Sequence, residues 1–135
     1  MTQSALTNGI DHLGLTVADL AASSDFFIGC LGWTKFGGNP EYPSTYVTDG
    51  TSKLTLWQQS AATSGEFDRH ANVGLHHTAL RVSDHDALRS LFEKVKDWSG
   101  VVVEFAPELS GSGPKVHFMI HEPGGTRLEF SFDPR

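Results

Sequence analysis

A chain of 135 residues, 39% hydrophobic and 19% charged, suits one globular domain and disfavours disorder, collagen and coiled coil. Its formal charge of −6 gives it no general attraction for phosphate backbones or anionic lipid, so neither a nucleic-acid nor a membrane partner is expected. The one cysteine, Cys30, excludes an intramolecular disulfide framework and a Cys-based zinc site. Lying among Phe26, Phe27, Ile28 and Leu31, it reads as a small core residue.

The opening MTQSALTNGI has no basic or apolar run of the kind a signal peptide carries, and no later stretch is long and apolar enough to span a bilayer. A reducing, cytoplasmic setting is the expectation. From residue 10 the chain repeats itself. IDHLGLTVADLAASSDFF (10–27) lies over LHHTALRVSDHDALRSLF (75–92), matching His12 with His77, Leu15 with Leu80, Val17 with Val82 and Asp19 with Asp84, an offset of 65 (77 − 12). GTSKLTL (50–56) lies over GGTRLEF (124–130), matching Leu54 with Leu128 and Thr55 with Glu129, an offset of 74 (129 − 55). The pattern predicts two copies of one module, about 8–58 and 74–132, within a single domain spanning 1–135. The segment QQSAATSGEFDRHANV joins them.

Each module opens on a strand with alternating faces. Leu13, Leu15 and Val17 oppose His12, Gly14 and Thr16; Thr78, Leu80 and Val82 oppose His77, Ala79 and Arg81. A helix follows in each, with Asp19 as the N-cap of the first and Ser83 with Asp86 as a capping box for the second. Ala87, Leu88, Leu91, Phe92 and Val95 form an apolar helical stripe. Three short strands then complete each copy. They are weakest in the first, where GGNPEYPST reads as loop, and the last two pair as hairpins: YVTDGTSKLTLWQ and KVHFMIHEPGGTRLEFSF. The order is βαβββ twice, an α+β fold.

Because the helix must cover the apolar face, His12 and His77 point to the other side of the sheet. In the last strand Glu129 points with them, flanked by Arg127 and Ser131, and its repeat mate Thr55 does so between Lys53 and Trp57. In the strand before, His117, Met119 and His121 share that side. Two imidazoles and a carboxylate on one concave surface suit a divalent ion with open positions, with His12, His77 and Glu129 as ligands. His76 has the parity of Leu80 and is expected at the edge or in the core; His70 and His85 are expected to be solvated.

IDHLGLTVADL, LHHTALRVSD and HEPGGTRLEF resemble the vicinal oxygen chelate superfamily, which includes glyoxalases, bleomycin-resistance proteins, type I extradiol dioxygenases, fosfomycin thiol transferases and methylmalonyl-CoA epimerase. The resemblance covers nearly the whole chain. It implies two βαβββ modules forming an eight-stranded, incompletely closed mixed sheet around a central cleft, with helices outside. It also implies a homodimer whose cleft combines modules of two chains, and metal positions at His12, Thr55, His77 and Glu129. Thr55 departs from the glyoxalase pattern, which has an acidic ligand there and uses it to move protons. Methylmalonyl-CoA epimerase has glutamine at that place; Gln58 and Gln59 are near but out of register. Met119 stands where the dioxygenase pattern has tyrosine, and LSGSGPK lacks that pattern's histidine. His117 and Met119 stand where the fosfomycin enzymes carry phosphonate ligands.

The implied activity is that of a divalent-metal enzyme acting on a small molecule with vicinal oxygens, as a lyase, isomerase or ring-cleaving dioxygenase. The ion is Fe2+ or Mn2+ first and Zn2+ next. His117 and His121 are the candidate proton-transfer groups, since imidazole titrates near working pH. Thr55, Trp57, Arg81 and Met119 are the candidate substrate contacts, and Lys53 joins Arg81 as a cation for an anionic substrate. The alternatives are a protein that sequesters a flat ligand without turnover and a regulatory remnant without chemistry.

Overall fold

The computed structural model describes residues 4–61 and 66–135; residues 62–65 of the joining segment lie outside the described residues. The first module runs β1 (Leu13–Val17), α1 (Leu20–Asp25), β2 (Thr34–Gly37), β3 (Ser44–Thr48) and β4 (Lys53–Gln58), with a π-helical turn at Phe26–Cys30 prolonging α1. The second runs β5 (Thr78–Arg81), α2 (His85–Val95), β6 (Val102–Leu109), β7 (Val116–His121) and β8 (Arg127–Phe132). Two four-stranded mixed sheets result, in the orders β1-β4-β3-β2 and β5-β8-β7-β6.

The repeat is kept down to the register. Parallel β1 and β4 pair Gly14 with Thr55, and parallel β5 and β8 pair Ala79 with Glu129, so both sequence offsets are reproduced in space. Each helix packs on one face of its own sheet. Leu15, Val17, Leu54 and Leu56 of the first module are buried on that side, as are Leu80, Phe118, Ile120, Leu128 and Phe130 of the second, all in one core cluster. Leu88 and Val95 of the α2 stripe are buried, with Leu91 and Phe92 partly so.

Asp19 caps α1 as expected, its Oδ1 accepting from Ala22 N at 3.0 Å. The second cap is a correction. Asp84, not Ser83, caps α2: its Oδ1 accepts from Ala87 N at 2.7 Å, and Asp86 falls in the first turn. Asp84 is the repeat mate of Asp19, so the local geometry follows the repeat and not the best box motif. The segment GGNPEYPST is loop only in part, since its last two residues begin β3. Cys30 is buried, and burial pushes its thiol pKa up against a smaller opposing pull from Lys94, which leaves it inert. No helix among the described residues is long and apolar enough to cross a membrane.

The two modules meet where α1 and the end of β1 touch the β7–β8 turn. Glu122 in that turn is 2% exposed. Its carboxylate accepts from Ser23 Oγ of α1 (2.9 and 3.2 Å) and from the backbone N–H groups of Gly124 (2.9 Å) and Thr126 (3.2 Å). Ala18 N donates to Gly124 O at 3.0 Å across the same joint.

Candidate functional site

On the face away from α2, β8 carries Arg127, Glu129 and Ser131, and β7 carries His117, Met119 and His121, with Met119 directly opposite Glu129. His77 precedes β5, the strand beside β8. The structure brings three of the expected residues together. His77 Nε2 lies 3.3 Å from Glu129 Oε1, and His117 Nδ1 lies 3.2 Å from Glu129 Oε2. The carboxylate is 12% exposed and so is sheltered between two imidazoles. Met119 across from it on β7 is buried, so this face is not bare, as alternation alone would have it.

His12 stands apart within the chain. It precedes β1 as His77 precedes β5, is half exposed, and its Nδ1 contacts Asp11 Oδ2 at 2.7 Å. Asp11 is held below the ordinary carboxylate range first by that hydrogen bond. Among the described residues no three His, Cys, Asp or Glu side chains of one chain converge at metal-holding spacing. The pair that does meet fits a divalent ion in donor type and in distance. Two ligands each about 2.1 Å from one ion, at angles between about 90° and 110°, lie roughly 3.0–3.4 Å apart, and His77 Nε2 and Glu129 Oε1 are 3.3 Å apart.

Thr55 occupies the place of Glu129 in the first module but is engaged: its Oγ1 accepts from the Trp57 indole Nε1 at 2.9 Å. Gly14 opposite leaves room for both, since a Cβ there would lie 3.2 Å from Thr55 Oγ1. Trp57 is packed edge to face on Tyr42 (4.8 Å) and against Tyr46 (5.7 Å), which in turn meets Phe36 (5.9 Å). The concave face of the first sheet is thus an aromatic wall. Arg81 is exposed on β5, and Lys53 is exposed at the start of β4, 6.0 Å above the Phe36 ring.

Sequence reasoning missed the charged cluster beside Glu129. Arg127 forks onto Glu104, Nε to Oε1 at 2.7 Å and Nη2 to Oε2 at 2.6 Å; His121 Nε2 is 3.2 Å from the same Oε1. Arg69 of the joining segment approaches at 3.9 Å. A bulge in β6 between Val103 and Phe105 places Glu104 and Phe105 on one face, Phe105 lying 4.8 Å from the His117 ring. Pro107, which a strand tolerates at an edge or a bulge, falls in a second irregularity of this edge strand, between Phe105 and Glu108. His76, expected at the edge or in the core, is exposed beside the edge strand β5 and is packed edge to face on His77 at 5.0 Å. Loss of hydration, then the Arg127 charge, lowers its pKa. Beside this cluster a cavity of about 700 Å³ lies between β1 and the β7–β8 turn, lined by Thr16, Phe67, His76, His121 and Arg127 among others.

The Arg127 hydrogen bonds hold the Glu104 pKa at about 2, against an ordinary 4.5. A carboxylate depressed on folding contributes stability above its unfolded pKa and loses it as pH falls toward the folded one. The gap in urea midpoint between wild type and Glu104→Gln should therefore be widest at neutral pH and shrink steadily from about pH 4.5 toward pH 2. A gap that stays constant over that range contradicts this ion pair.

The family model of the Glyoxalase/Bleomycin resistance protein/Dioxygenase superfamily matches residues 9–130. The chain belongs to this superfamily. Among solved structures it is similar to a glyoxylase/bleomycin resistance protein/dioxygenase domain from Frankia sp. EAN1pec (20% identity, 96% of this chain and 94% of that one, TM-score 0.80). It is also similar to lactoylglutathione lyase from Agrobacterium tumefaciens (20% identity, 95% and 96%, TM-score 0.68). A third is a genomically encoded fosfomycin resistance protein from Listeria monocytogenes (12% identity, 94% and 94%, TM-score 0.70). At these identities the likeness is one of fold. No curated protein matches the chain.

Proposed function

We propose that this member of the superfamily is a divalent-metal enzyme acting on a small substrate with vicinal oxygens, and that it works as a homodimer in a reducing, cytoplasmic setting. The observation that carries the reading is the facing pair His77 Nε2 and Glu129 Oε1 at 3.3 Å, next to the parallel pairing of β5 with β8. In the assembled site, His77 and Glu129 of one chain and His12 of the partner subunit hold the ion, with Fe2+ or Mn2+ first and Zn2+ next. Bound there, the ion supplies Lewis acidity toward substrate oxygens.

The chain's own residues supply the rest. His117, against the second oxygen of Glu129, is the proton-transfer group best placed beside the pair; His121, tied to Glu104, is the next along the strand. Met119 is the apolar floor. Trp57, its indole fixed by Thr55, offers a flat wall for the substrate, and Arg81 is the exposed cation for a negatively charged one.

Protein purified without chelator or nickel resin should carry about one divalent ion per chain by elemental analysis, with aerobic and anaerobic preparations distinguishing iron. Protein that neither carries an ion nor takes up added Mn2+, Fe2+ or Zn2+ overturns the reading. The aromatic wall of Tyr42, Tyr46 and Trp57 would then favour sequestration of a flat ligand without turnover. A second expectation follows from Thr55, whose hydroxyl is already bonded to Trp57 and which has no carboxylate to move a proton. Activity on the methylglyoxal–glutathione hemithioacetal should be negligible. A rate within about tenfold of a dedicated glyoxalase, roughly 1.4 kcal/mol in barrier height, contradicts that assignment.

A further inference from the structure

Behind the pair His77–Glu129 runs a chain of close contacts through His76 to Arg127. The fork of Arg127 on Glu104 fixes the guanidinium, and its Nη1 faces His76 Nδ1 at 3.4 Å. His76 Nδ1 in turn lies 2.8 Å from His77 Nδ1. Arginine has only N–H donors. Its positive charge beside His76 Nδ1 favours a lone pair on that nitrogen over an N–H. Two Nδ1 atoms at 2.8 Å need one hydrogen between them, and an ion on His77 Nε2 leaves that ring's proton on Nδ1, directed at the His76 lone pair. A neutral His77 then has its proton on Nδ1 and a lone pair on Nε2. That lone pair faces Glu129 Oε1 at 3.3 Å, two acceptors with no hydrogen between them.

We propose that His76 is a positioning residue: held by Arg127, it accepts the Nδ1 proton of His77 and so presents the His77 Nε2 lone pair to a divalent cation shared with Glu129. The proposal rests on the metal reading above. Imidazole ligands characteristically donate their remote N–H to a neighbour that fixes ring and tautomer. Here the neighbour is a second imidazole, adjacent in sequence, whose own tautomer is set by an arginine. Without His76, the His77 proton is free to move to Nε2, where it would bond Glu129 directly and occupy the cation's place.

The test is a long-range 1H–15N correlation spectrum of the imidazoles in 15N-labelled, metal-free protein at alkaline pH, paired with calorimetric titration by Zn2+. Wild type should show His77 protonated on Nδ1, and His76→Leu should shift that proton to Nε2 and weaken zinc binding about 10–100-fold. His76→Asn places an acceptor oxygen where Nδ1 was and should keep both the wild-type tautomer and most of the affinity. His76 is exposed, so these variants are expected to fold, which far-UV circular dichroism checks. A wild-type His77 protonated on Nε2, a tautomer unchanged by His76→Leu, or an asparagine variant that behaves like leucine overturns the proposal. If the tautomers behave as described but wild type binds no zinc, the positioning role stands and the metal reading fails.

Discussion

Gly124→Ala should destabilise the fold by on the order of 3 kcal/mol or more, lowering the melting temperature by about 10 °C. The reason lies at the joint between the modules. A Cβ on Gly124 would sit 1.9 Å from Ser23 Oγ, 2.7 Å from Glu122 Oε1 and 2.8 Å from Val17 Cβ. Ser23 can turn away only by giving up its hydrogen bonds to Glu122, which leaves a buried carboxylate short of partners at roughly 1–3 kcal/mol. Val17 Cβ is fixed to the β1 backbone, so that contact is relieved only by moving the strand. The adjacent Gly125 is the control. It has φ +102° but open space around it, so alanine there meets backbone strain alone, at about 1 kcal/mol. Equal midpoints for the two variants in chemical unfolding would contradict the close packing of this joint.

Glu129→Gln should reduce divalent-ion affinity by roughly sixtyfold to eight-hundredfold. Structural zinc sites gain roughly 10–16 kcal/mol from four ligands, so one ligand accounts for about 2.5–4 kcal/mol. The substitution keeps the side chain's size and its place opposite Met119 and removes only the charge. His117→Gln, which touches the other carboxylate oxygen, should change affinity far less while slowing turnover. Titration with Mn2+ or Zn2+ reads both effects. A Glu129→Gln protein that binds as wild type would remove the carboxylate from the ion's ligands.

Much of this fold is written in the repeat. The offsets of 65 and 74 align two separate pieces of chain, and a parallel strand pair is the simplest way for both to hold at once; Gly14–Thr55 and Ala79–Glu129 are those pairs. Alternation then assigned His117, Met119, His121 and Glu129 to one face. It failed where its premise failed. Phe105 joins the face through a bulge that alternation cannot represent, and the Glu104–Arg127 fork depends on how β6 packs beside β7. The Asp84 cap was visible through its repeat mate Asp19 but was outweighed by a local motif. His12 could be matched to His77 by position, yet no rule of sequence says which copy of the chain supplies it.

That last question is the most direct test of the account. His12→Ala and Glu129→Ala proteins, each stripped of metal, are mixed and allowed to exchange subunits, and ion content is measured in the isolated heterodimer. A site that combines His12 of one chain with His77 and Glu129 of the other predicts one recovered ion per heterodimer, because one of its two clefts then has every ligand intact. Recovery of none, in a heterodimer proven to have formed, would contradict the shared centre.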